Sequence, residues 1–106
     1  MTETASDRPA YLLVTARVTD PEKMAVYRRE LAGSGLYARH GGHYLFVGKP
    51  ATNAENWQAG ESVVCAQFPS RAAAEAFWND PDYQLRIKPL RSNAGDFHVA
   101  IFDAAP

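Results

Sequence analysis

The order of the periodic segments predicts an α+β fold, the ferredoxin-like split βαβ with element order β-α-β-β-α-β. Two observations lead to it. Apolar, β-branched stretches with strand character recur at Tyr11–Val18, His43–Val47, Ser62–Phe68 and Phe97–Phe102. Segments of helical character lie between the first and second of these and between the third and fourth, each opened by a capping residue. At 106 residues the chain has room for one core. Helices from one chain cover one face of such a sheet. The other face, rich in Val, Leu and Phe, calls for a partner, so a homodimer closing two sheets face to face is expected.

The elements follow in order. Met1 to Pro9 is polar and reads as a flexible tail, with the domain over 10–103 and a short tail at 104–106. In the first strand Leu12, Val14, Ala16 and Val18 share one face, and Tyr11, Leu13, Thr15 and Arg17 the other. Asp20-Pro21-Glu22 then combines an N-cap side chain, a proline pre-set for the first turn and an acid at the positive end of the helix dipole. Met24, Tyr27 and Leu31 form its apolar stripe. Gly33-Ser34-Gly35 interrupts the helix, which resumes through Leu36 and Tyr37 until Gly41-Gly42 supplies a left-handed cap. Lys49 to Gly60 is a long connection with Trp57 as its large apolar residue. Ser70 caps the second main helix, and Asp80-Pro81 opens a short one running to about Lys88, with Pro89 at its end or at a kink.

Composition excludes several classes. A net charge of −1 with scattered basic residues gives no footprint for nucleic acid or an anionic membrane. No segment has the length of a transmembrane helix or the apolar run of a signal peptide, so a cytoplasmic location is expected. The single cysteine, Cys65, cannot form an intrachain disulfide and reads as a small buried hydrophobe. No phosphate loop, HExxH pair, nucleophile elbow or dinucleotide fingerprint is present, and no metal or organic cofactor is expected.

Four landmarks in a fixed order carry a resemblance: Thr19-Asp20-Pro21-Glu22, His40-Gly41-Gly42, Gln67-Phe68-Pro69-Ser70, and Pro81-Asp82-Tyr83-Gln84 followed by Leu90-Arg91. In these the chain resembles the dimeric α/β-barrel superfamily, and within it a family known only as a domain of unknown function. The likeness spans roughly Ala10 to Asp103. It departs at Gly33-Ser34-Gly35 and before Trp57, where Glu55-Asn56 replaces the usual glycine. The resemblance implies a cleft between the sheet and the helices. It also implies chemistry of the cofactor-independent kind, since oxygenases, isomerases and lyases share this superfamily.

The candidate site residues follow from residue type. His40 and Arg91 are the candidate catalytic pair: an imidazole suits proton transfer near neutral pH, and a guanidinium fork suits a developing carboxylate or enolate charge. His40 in a last helical turn also suits the helix dipole without any catalytic role. Tyr27, Trp57, Tyr83 and Arg17 are candidate substrate-binding residues, although helical spacing favours the core for Tyr27 and plain surface exposure is favoured for Arg17. His43 is a weaker candidate, and His98 reads as a sheet histidine. His40 and His43 are separated by the glycine turn and lack a third partner, which argues against a metal site. Two functions fit this set: a cofactor-independent enzyme on a small, partly apolar organic molecule, with His40, Arg91 and Trp57 meeting at one cleft, or a non-catalytic metabolite-binding or assembly module.

Overall fold

The computed structural model describes residues 8–106. Its elements are β1 (Ala10–Val18), α1 (Pro21–Ser34), α2 (Leu36–Arg39), β2 (His43–Gly48), β3 (Glu61–Phe68), α3 (Arg71–Asn79), a π-helical segment (Asp82–Ile87), a 3₁₀ turn (Lys88–Arg91) and β4 (Gly95–Asp103). Residues 1–7 of the expected tail lie outside the described residues. Beyond the strand ends the chain stays tied, because the Ala104 amide donates to the Pro9 carbonyl at 3.0 Å and Arg8 Nη1 to the Ala104 carbonyl at 3.2 Å.

The four strands form one antiparallel sheet in the order β2-β3-β1-β4. Directly paired residues share a face, so the register sorts the side chains. Leu12 sits opposite Ala66 and Ile101, and Ala10 opposite Phe68; Leu12, Ala10, Ala66 and Phe68 are buried under the helices. Leu13 sits opposite Cys65 and Ala100, and Tyr11 opposite Gln67 and Phe102, on the face that no helix covers. A register shift between Tyr44 and Phe46 places Phe46 opposite Cys65, on this same open face. The Cα extents of 47 × 37 × 17 Å leave thickness for one sheet and one helical layer.

Local signals set the helix ends. Asp20 Oδ1 accepts from the Lys23 amide at 3.1 Å, and Ser70 Oγ from the Ala73 amide at 3.1 Å. Between α1 and α2, Gly35 takes φ 72°, and Ser34 Oγ bridges the break by donating to the Leu31 carbonyl at 2.7 Å and accepting from the Leu36 amide at 3.1 Å. At the Gly-Gly turn Gly41 takes φ 76°, and a Cβ on Gly42 would run into the Phe68 ring.

One helix differs in kind from its expectation. The segment after Asp80-Pro81 is π-helical and then 3₁₀ rather than a short α-helix ending at Lys88. Pro89 has no amide to give the Leu85 carbonyl, and its ring needs the space an α-turn would close. The wider turn keeps Tyr83 and Ile87 buried together against Phe77 and Leu31 in the core.

Candidate functional site

The helical side holds the main polar constellation. α2 delivers His40, and the exit of α3 delivers Asp80, whose Oδ2 lies 2.7 Å from His40 Nε2. Both are mostly shielded, with side-chain exposures of 17% and 9%. Arg39 Nη1 reaches the same Asp80 oxygen at 3.0 Å and Asp82 Oδ2 at 2.9 Å. The other Asp80 oxygen accepts from the Asp82 amide at 2.9 Å, so one carboxylate caps a helical segment and holds an imidazole. His40 stands edge-on to Phe77, ring centres 6.2 Å apart.

These contacts hold the Asp80 carboxyl below the usual carboxylate range, the His40 bond first among them. A carboxylate depressed in the folded state stabilises it above the unfolded pKa of about 3.9, and that stability disappears as pH falls through the lower folded value. Asp80→Asn is therefore expected to lower stability at pH 6 to 7 and to flatten its fall below about pH 4, read from urea denaturation midpoints across pH. An unchanged acid limb would show that the pair contributes nothing to folding.

Behind Phe77 lies a second group. The Tyr27 and Tyr83 hydroxyls share a hydrogen bond of 2.8 Å, and Tyr83 packs on Phe77 at 5.1 Å and on Trp78 at 5.4 Å. Burial, together with Tyr83, pushes the Tyr27 phenol far above its ordinary range, so it stays protonated and can donate. The Arg91 guanidinium lies 5.7 Å over the Tyr27 ring and 4.3 Å over Phe97. Arg91 also lines an open groove of about 190 Å³ with Gln84, Lys88, Pro89 and Ser92.

The remaining candidates face elsewhere. Trp57 lines a groove of about 520 Å³ with Phe46 and Val63, both on the open face of the sheet, and its Nε1 donates to the Glu61 carbonyl at 3.0 Å. Asn53 pins the loop through the Trp57 amide at 3.1 Å. Arg17 donates to Gln58 Oε1 at 3.0 Å, beside a groove of about 440 Å³ that it shares with Glu61, Asp96 and His98. His98 Nδ1 lies 3.4 Å from Thr15 Oγ1 on the same face, and His43 is exposed.

The expected meeting of His40, Arg91 and Trp57 in one cleft is therefore corrected. Trp57 and Arg17 belong to the open face, and His40, Tyr27, Tyr83 and Arg91 to the helical side. Phe77 and Tyr83 fill the space between His40 and Arg91. Sequence reasoning missed two partners, Asp80 for His40 and Lys88 for the Arg91 groove. Asp80 had only its capping signal, and 40 residues separate it from His40. Among the described residues no group of three or more His, Cys, Asp or Glu side chains gathers to hold a metal, and no helix is long and apolar enough to cross a membrane.

The fold is shared with solved structures. SnoaB, a cofactor-independent oxygenase from Streptomyces nogalater, aligns at TM-score 0.64 and 14% identity over 93% of this chain and 95% of its own. A dimeric ferredoxin-like protein of unknown function from Thermobifida fusca aligns at 0.65 and 15%, over 92% of each chain. RPA0582, a protein of unknown function from Rhodopseudomonas palustris, aligns at 0.61 and 21%, over 94% of this chain and 85% of its own. At these identities the likeness is one of fold. No curated protein matches the chain. One family model does, across residues 9–105, and with nearly the whole length matched the chain belongs to the family described as Domain of unknown function (DUF1330).

Proposed function

We propose that the protein is a homodimeric α/β-barrel enzyme acting without a resident cofactor on a small, partly apolar organic molecule, by proton-transfer chemistry of the oxygenase, isomerase or lyase type. The observation that carries this reading is the convergence of two hydroxyls and a guanidinium, from Tyr27, Tyr83 and Arg91, within an otherwise aromatic layer between sheet and helices. A few convergent polar groups in apolar surroundings are what a small-molecule site needs. Here Arg91 stabilises the negative charge left as a substrate proton departs, Tyr27, held protonated by burial, donates to the developing oxyanion, and Phe97 and Trp78 form the walls. His40, with Nε2 fixed by Asp80, is the proton-transfer group in this reading, which requires the Phe77 and Tyr83 rings between it and Arg91 to part when substrate enters. A cofactor-independent oxygenase with the same fold supports the reaction type by analogy.

A second reading has its own observation. His40 lines none of the three grooves described above and is closed in by Asp80 and Phe77, which suits a structural clasp in a non-catalytic binding module. Solvent deuterium exchange decides between them. The protein is mixed with a panel of enolisable keto acids and hydroxyaromatic acids in D₂O, and exchange is followed by proton NMR. The enzyme reading expects accelerated exchange for at least one compound, with losses of about a hundredfold in Arg91→Met and in His40→Ala. Exchange no faster than in buffer across the panel favours the binding module. Acceleration that survives His40→Ala removes His40 from the chemistry.

A further inference from the structure

We propose that the groove lined by Gln84, Lys88, Pro89, Arg91 and Ser92 is an oxyanion subsite that takes the carboxylate of a small organic acid. This deepens the enzyme reading by naming the substrate class, and it rests on that reading only for the idea that the bound acid is turned over.

The Arg91 side chain carries the argument. Its guanidinium carbon lies 4.3 Å over Phe97 and 5.7 Å over Tyr27, with one hydrogen bond to the Tyr27 hydroxyl. Among the described residues Arg91 makes no ion pair, and the one Tyr27 hydroxyl it meets, itself shared with Tyr83, cannot satisfy its five N–H donors. Lys88 Nζ projects from one turn earlier, 5.2 Å over the Trp78 ring and 3.4 Å from Gln84 Oε1, also without a carboxylate partner. Lys23 Nζ donates to the Ser92 carbonyl at 3.2 Å and adds a third positive charge at the rim. In a chain with 12 acidic residues against 11 basic ones, a groove lined by Lys88 and Arg91 and by no Asp or Glu calls for an anion from outside.

The plain alternative is that these cations serve the carboxyl end of the 3₁₀ turn. Lys23 does so through the Ser92 carbonyl, but neither Lys88 nor Arg91 gives a side-chain hydrogen bond to a main-chain carbonyl among the described residues. Size and field then choose the anion. About 190 Å³ holds an acid group with a short substituent and falls below the roughly 300 Å³ at which pockets enclose a drug-sized ligand. Phosphate sites draw on helix N-termini, whereas this groove lies at a helical carboxyl end whose carbonyls disfavour a dianion. A monoanionic carboxylate meets the guanidinium fork with two parallel bonds.

The test titrates the full chain with benzoate, acetate and inorganic phosphate at constant ionic strength. It follows the Arg91 Nε–H and Trp78 indole N–H signals by ¹⁵N-correlated NMR. Benzoate is expected to give a saturating shift of both signals at millimolar concentration. Arg91→Met is expected to weaken that binding about tenfold or more, read at Trp78. Lys88→Met, which keeps its methylenes over Trp78, is expected to weaken it several-fold and gives the same reading should Arg91→Met not fold. Arg86→Met is expected to leave binding unchanged, since Arg86 is exposed and paired with Asp82 at 3.8 Å. A shift that never saturates, equal losses in the Arg86 and Arg91 variants, or phosphate binding tighter than benzoate would overturn the proposal. Because binding is read without turnover, the subsite can stand while the exchange assay fails, and fail while that assay succeeds.

Discussion

Leu13→Glu is expected to turn the proposed homodimer into a monomer while leaving its own fold intact. Leu13 lies at the middle of β1, between Cys65 and Ala100, on the face no helix covers. Around it Phe46 is 58% exposed and Phe102 50%, so the chain by itself leaves large rings in water. Two such faces packed together would hide them, and an interface of ordinary size buries about 1,200–2,000 Å² in total. A carboxylate at the centre of that contact costs about 3 kcal/mol or more when left unpaired, which is over a hundredfold in the dissociation constant. The monomer keeps its structure, since Leu12, Ala66 and Phe68 form the core on the opposite face. Sedimentation equilibrium beside circular dichroism reads both halves of this expectation. A wild-type monomer at micromolar concentration would sink the dimer, and an unaffected Leu13→Glu dimer would place the interface on another surface.

What the sequence made legible was what neighbouring residues settle among themselves. Asp20-Pro21, Ser70 and Gly41-Gly42 act within a turn of their own positions, and each ends or starts an element where expected. Strand alternation gave the open face, because a period of two assigns Tyr11, Leu13, Thr15 and Arg17 to one side whatever they later meet. The site was less legible because it depends on contacts between distant elements. Trp57 is carried to the open face by the course of the 49–60 loop, and no pattern in its neighbours indicates a side. Asp80 shows only a capping signal until the fold brings α2 against α3. The π-helical turn follows from Pro89 acting backwards on Leu85, which periodicity alone does not reveal.

Phe77→Ala is expected to have the largest effect on stability of any single truncation in the helical layer. Phe77 is 1% exposed, and its ring stacks on Tyr37 at 4.5 Å and meets tilted Tyr83 and Phe68 rings at 5.1 Å and 5.3 Å, with His40 edge-on at 6.2 Å. Truncating a buried Phe to Ala costs about 3–5 kcal/mol through lost transfer energy and the cavity left behind. The ring pairs place this position toward the upper end, since each contributes about 0.5–1.5 kcal/mol beyond area. Phe77→Leu keeps most of the volume and is expected to cost about 1.5 kcal/mol or less if the neighbours repack. Urea denaturation of the three proteins measures the ladder. The same substitution probes the site, because Phe77 stands between the His40–Asp80 pair and the Tyr27–Tyr83 pair. Burial holds the Tyr37 phenol well above its ordinary range, and with the Phe77 ring gone water reaches it. Its ionisation should then fall toward the usual value in high-pH absorbance titration. A Phe77→Ala cost below about 1.5 kcal/mol would mean that the layer collapses around the missing ring, and that Phe77 does not hold the two pairs apart.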